Sequence, residues 1–142
     1  MPQQIDLDKT YIKMAREWSS LSKARRLQVG CLIVKEGSII SDGYNGTPKG
    51  FDNECEDVDD FDKLVTRKEV LHAESNAITK LAKSTQSSVG STMYITTAPC
   101  IECAKLIIQS DIIRVVYSDF YRSDNGIQLL KKAGIKVEQC SI

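Results

Sequence analysis

From Val70 to its end the chain alternates helix-like and strand-like segments, and this alternation constrains the fold more than any other feature of the sequence. Helix-like Val70–Lys83 leads to strand-like Thr92–Thr97, helix-like Cys100–Gln109, strand-like Ile112–Tyr117, helix-like Asn125–Ala133 and strand-like Ile135–Glu138. Strands separated by helices join through right-handed crossovers, which favour largely parallel pairing and cover both faces of a sheet. Gly134 fits a helix stop. Upstream, Val29–Val34 and Ile39–Tyr44 are β-rich runs joined by Lys35-Glu36-Gly37-Ser38, the pattern of a hairpin. Before them Tyr11, Met14, Ala15, Trp18, Leu21 and Ser22 recur at three- and four-residue steps after Asp8-Lys9-Thr10, which offers N-cap groups. An amphipathic first helix with Trp18 in the core follows. The predicted architecture is α/β: a three-layer α/β/α sandwich around a five-stranded mixed sheet.

At 142 residues the chain is long enough to bury a core without disulfides, and a single domain over 1–142 is expected. Between Gly43 and about Lys68 the composition turns polar and turn-rich. This region reads as an ordered loop followed by an acidic, partly helical insertion at about 51–68 whose charges are solvated. Nineteen basic and nineteen acidic side chains cancel, and no Lys/Arg-rich block is present. Both facts argue against a nucleic acid polymer as principal ligand. No apolar run approaches the roughly 20 residues of a membrane span, and the start MPQQIDLDKT lacks a secretory pattern. The expected location is the cytoplasm, that of the host if a virus encodes the chain. Of five cysteines, Cys31, Cys55 and Cys140 read as buried thiols in a reducing compartment.

The remaining two cysteines carry chemistry. His72-Ala73-Glu74 contains the chain's one histidine, and Pro99-Cys100-Ile101-Glu102-Cys103 follows at long range. An imidazole and two thiolates are three ligands for a tetrahedral Zn2+ with a fourth position open to water, the arrangement of catalytic zinc. Proline is at home at a helix entry, and Cys100 and Cys103 lie on one face of the first turn. The electropositive helix N-terminus favours their thiolates. Glu74 cannot easily share the tetrahedral site with His72, but it can reach the water as proton carrier, and this combination marks zinc-dependent nucleobase deamination. A structural zinc would want a fourth protein ligand, and a redox Cys-x-x-Cys would leave His72 and Glu74 unexplained.

The segments HAESNAI (72–78), TTAPCIECAKLIIQS (96–110) and GYNGTPKG (43–50) resemble the deoxycytidylate deaminases, and the resemblance runs over nearly the whole chain. It implies a cytidine deaminase-like fold and conversion of dCMP to dUMP and ammonia, on the route to thymidylate. It also implies His72, Cys100 and Cys103 as metal ligands, Glu74 as catalytic proton shuttle, and Asn45 in contact with the deoxyribose or base. Such enzymes are typically homohexamers activated by dCTP and inhibited by dTTP, with Gly46, Lys49 and Gly50 in the effector segment and Mg2+ accompanying a triphosphate. Lys23 and Arg26 are candidates for the 5′-phosphate. Tyr121, with Tyr117 and Arg122, forms a second candidate wall. Because Val58 to Leu71 contains no histidine, one zinc per chain is expected. The alternatives are a deaminase of another free cytosine nucleoside or nucleotide (deoxycytidine, dCTP), a polynucleotide deaminase, or an idle module that senses dCTP and dTTP.

Overall fold

A computed structural model describes residues 1–142. In chain order the elements are α1 (Gln4–Ser19), β1 (Gly30–Lys35), β2 (Ser38–Tyr44), β3 (Glu56–Val58), β4 (Leu64–Thr66), α2 (Ala73–Leu81), β5 (Thr92–Thr97), α3 (Ile101–Gln109), β6 (Arg114–Asp119), α4 (Asn125–Lys132) and β7 (Lys136–Gln139). The main sheet has five strands in the order β2-β1-β5-β6-β7. The β1–β2 hairpin turns on Glu36 and Gly37, both at positive φ (51° and 77°), as a two-residue turn matched to strand twist requires. Gly134, also at positive φ (85°), ends α4 as expected.

The sheet is mixed, with less parallel pairing than the alternation suggests. β5–β6 and β6–β7 are parallel, whereas β1 is antiparallel to both β2 and β5. The reason is topological. The crossover through α2 links β2 to β5, which run the same way, and the hairpin slots β1 between them.

Period-two alternation assigns the two faces. Leu32, Val34, Tyr94 and Val116 meet Ile12 and Ala15 of α1 on one side. Cys31, Ile33, Met93, Ile95 and Val115 meet Ala73, Ala77, Ala104, Ile107 and Leu130 of α2, α3 and α4 on the other. The result is the three-layer sandwich read from the sequence. Cys31, Cys55 and Cys140 are free and buried.

Three local expectations are corrected. The first helix begins at Gln4, where Gln3 and Asp6 form a reciprocal capping box, and Asp8 is inside the helix. Asp8 is buried, held by Arg114 (Nη2 to Oδ2, 2.6 Å) and by the Tyr94 hydroxyl (2.6 Å). On that helix Met14 is exposed and Trp18 is only half-buried, with its ring edge toward Tyr44, while Leu21 lies exposed in the turn beyond the helix end. Finally, the acidic insertion contains no helix; it is the β3–β4 hairpin. Asp59 Oδ1 accepts the N–H groups of Phe61 and Lys63, each at 2.9 Å, and closes the turn, while Val58, Val65 and Thr66 favour extended backbone.

Candidate active site

The two motifs meet because each opens a helix at the same end of the sheet. His72 is the N-cap of α2 and Cys100 the N-cap of α3, both in extended backbone conformation. α2 starts three residues later than the helical pattern suggests because Leu71 is held extended by a two-way backbone bridge to Gly46 (2.7 and 3.0 Å). Two glycines allow the approach. A Cβ on Gly43 would stand 2.5 Å from the Ala73 carbonyl oxygen, and one on Gly126 would stand 2.1 Å from that of Pro99. Only hydrogen at those positions lets β2 lie against α2 and α4 against the Pro99–Cys100 backbone.

His72 Nδ1 lies 3.2 Å from Cys103 Sγ and 3.6 Å from Cys100 Sγ, and the three ligand atoms fall within 4.8 Å of one another. Zinc bonded tetrahedrally at about 2.3 Å to sulfur and 2.0 Å to nitrogen separates N from S by about 3.5 Å. The donor set therefore fits zinc in both spacing and chemistry. Hydrogen bonds from Cys103 and His72 pull the Cys100 thiol down to about 3, so that it is a thiolate at neutral pH. The same bond with Cys100, with burial, pushes the Cys103 thiol up. The site thus favours a thiolate, which a bound cation would neutralise.

Glu74 is 4 % exposed. Burial pushes its carboxyl up from the usual carboxylate range, against the opposing pull of His72. It lies in the second residue of α2 and lines a cleft shared with His72, Cys100, Thr97, Asn45 and Arg26.

A family model described as the cytidine and deoxycytidylate deaminase zinc-binding region matches residues 5–119. The chain belongs to this family. The deoxycytidylate deaminase of Saccharomyces cerevisiae is 37% identical over 140 residues, covering 94% of this chain, which spans only 45% of that longer relative. The deoxycytidylate deaminase of Enterobacteria phage T4 is 34% identical over 167 residues, with 90% of this chain and 86% of the relative covered. A crystal structure of the dCMP deaminase of cyanophage S-TIM5 in complex with dCMP and dUMP superposes with a TM-score of 0.89 at 40% identity, over 97% of this chain and 99% of that one. The five-stranded sheet and its helices are those of this deaminase fold.

Within the family fold, Asn45, Arg26 and Tyr121 line the cleft with the metal-ligand cluster, and Lys23 does not. Lys23 is exposed, because the turn after α1 buries Ser22 and Ala24 on either side of it. The Asn45 carboxamide accepts from Val29 N–H (2.9 Å) and donates to the Leu27 carbonyl (2.8 Å), which leaves one N–H and one lone pair for other partners. Tyr121 is half-exposed under the Arg122 guanidinium, which stands 5.0 Å above its ring. Tyr117 packs against the core. Gly46 ties to Leu71, next to His72, whereas Lys49 and Gly50 sit on an exposed loop outside the cleft.

The β3–β4 hairpin forms a wall of the cleft that the solvated-loop expectation does not include. Cys55, Glu56 and Thr66 all line it, and Glu56 is 3 % exposed. A signal existed. Glu56 is an acid beside a cysteine and within reach of β-branched residues, a pattern that can be told from a solvated acidic run only by finding a strand partner.

Proposed function

We propose that the protein deaminates dCMP hydrolytically to dUMP and ammonia, supplying dUMP for thymidylate synthesis. The observation that carries this reading is a buried carboxyl beside a His/Cys/Cys cluster, in one cleft with Arg26, whose guanidinium forms no ion pair. His72, Cys100 and Cys103 would hold the zinc, which when bound supplies Lewis acidity and lowers the pKa of a water ligand toward neutrality.

The chain's own residues then handle the protons. Glu74 takes one from the water that adds to C4 of cytosine and passes it to N3. It next takes the proton of the new C4 hydroxyl and delivers it to the exocyclic nitrogen as the C4–N bond breaks, releasing ammonia and leaving a carbonyl. A carboxyl raised by burial suits a group that must be basic in one step and acidic in the next. Asn45, through its remaining N–H, is the candidate for the base or deoxyribose. Arg26 and Tyr121 at the mouth are the candidates for the 5′-phosphate, with Lys23 left to solvent.

Regulation by dCTP and dTTP, with Mg2+ accompanying the triphosphate, and assembly into a homohexamer belong to the same reading. The Gly46–Leu71 bridge would connect an effector loop carrying Lys49 and Gly50 to the residue before His72. Ammonia release from dCMP, deoxycytidine and dCTP, each with and without added dCTP or dTTP, tests substrate and regulation, and sedimentation of the chain tests the hexamer. Preference for dCMP is the expected result. Equal turnover of deoxycytidine would overturn the substrate, and a hyperbolic curve indifferent to both effectors would overturn the regulation.

A further inference from the structure

Arg26 is gripped twice by one hairpin. Glu56 and Thr66 face each other as a cross-strand pair between β3 and β4. The Glu56 Oε2 atom accepts the backbone N–H groups of both Arg25 and Arg26, each at 2.9 Å. Its other oxygen has no hydrogen-bond partner and stands 3.6 Å from Arg25 Nε. On the opposing strand, Thr66 Oγ1 accepts from Arg26 Nη1 at 2.7 Å. The backbone and the guanidinium tip of Arg26 are therefore fixed by adjacent residues of the same hairpin.

The two arginines divide their roles. Arg25 is paired with Glu54 and Glu56 at 3.6 Å. Arg26 is within ion-pair distance of no carboxylate, yet it lines the cleft together with Glu56 and Thr66. A guanidinium presents five N–H donors in a rigid fork. The bond to Thr66 sets the plane of that fork and leaves its remaining donors for an oxyanion. A rotor frozen before binding is one the ligand need not freeze, so affinity is gained through pre-organisation.

We infer that Glu56 and Thr66 are positioning residues that preset Arg26 for the 5′-phosphate, so that the β3–β4 hairpin sets the preference for a nucleotide over its nucleoside. The inference rests on the dCMP reading and adds to it a role for the acidic insertion. Its test is the ratio of kcat/KM for dCMP to that for deoxycytidine in the wild-type, Thr66→Val, Thr66→Ser and Glu56→Gln chains. Thr66→Val keeps the side-chain shape and removes the acceptor. The ratio should fall roughly tenfold, through KM for dCMP with little change in kcat. Thr66→Ser should restore it, and Glu56→Gln, a weaker acceptor for two N–H groups, should move it in the same direction.

Loss of both activities in proportion in Thr66→Val, an unchanged ratio, or failure of Thr66→Ser to restore it would each overturn the inference while leaving the dCMP reading standing. A wild-type chain that turns over deoxycytidine as well as dCMP would sink both.

Discussion

Replacing Gly126 by alanine should dislodge Cys100, a candidate metal ligand, although the substitution lies 26 positions away in a different helix. The added Cβ would stand 2.1 Å from the Pro99 carbonyl oxygen and 2.8 and 2.9 Å from the carbonyl carbon and oxygen of Cys100. Non-bonded carbon rests near 3.5 Å from its neighbours, so α4 and the Pro99–Cys100 backbone must part by about 1 Å. Every clashing atom is backbone, and no rotamer change relieves the contact. Overpacking of this kind costs roughly 3 kcal/mol. A 1 Å displacement against a Zn–S bond of about 2.3 Å removes one corner of the tetrahedron, and displacement on that scale lowers turnover by about 100-fold. The assay is zinc affinity by chelator competition, together with thermal unfolding with and without zinc. Gly134→Ala is the control. It lies just beyond the far end of α4 at φ +85° with nothing within 4 Å of its Cβ, so it should cost about 1 kcal/mol of stability and leave zinc affinity alone. A Gly126→Ala protein with wild-type zinc affinity and Tm would refute the argument.

Glu74→Gln keeps the shape of the side chain but cannot carry a proton, so kcat should fall by about 10³ while bound zinc remains stoichiometric by metal analysis. Removing zinc with a chelator should abolish ammonia release yet leave the far-ultraviolet circular dichroism largely intact, since neither apolar cluster includes the candidate ligands His72, Cys100 and Cys103. Arg114→Met should destabilise the fold by about 3–5 kcal/mol near neutrality, because it strands the buried Asp8 carboxylate. Burial would raise the Asp8 carboxyl, but hydrogen bonds from Arg114, Tyr94 and Gln4 outweigh it and hold the group below 3.8. Its stabilisation is therefore complete above that pH and lost as pH falls through the lower folded value. Thermal unfolding from pH 6 down to about pH 2.5 should show a steep acid loss in the wild type and a shallower one in Arg114→Met.

Much of this fold could be read in advance, for identifiable reasons. β5 at Thr92–Thr97 was bounded correctly because it is an apolar run flanked by turn residues, and α3 because Pro99 and Cys100 mark its entry. The meeting of His72 with Cys100 and Cys103 was legible because the chain has no other histidine. What was not legible depended on long-range partners. Asp8 looked like an N-cap group because its bond to Arg114 spans 106 positions. The antiparallel setting of β1 follows from where the hairpin is inserted, which local periodicity does not encode. The acidic insertion hid a hairpin because three-residue strands such as β3 and β4 carry almost no alternation to count.

The bridge of Gly46 to Leu71 and the seat of Gly126 under Pro99 mark the candidate metal centre as one that would fold before it loads. A zinc finger is assembled by its ion, since the ligands are the framework. Here His72 and Cys100 are 28 residues apart with a central strand between them, and the buttress behind Cys100 arrives only with α4. Capture of a metal by His72, Cys100 and Cys103 would then follow the docking of α4, and a truncation that ends before residue 126 should fail to retain zinc although it contains all three candidate ligands.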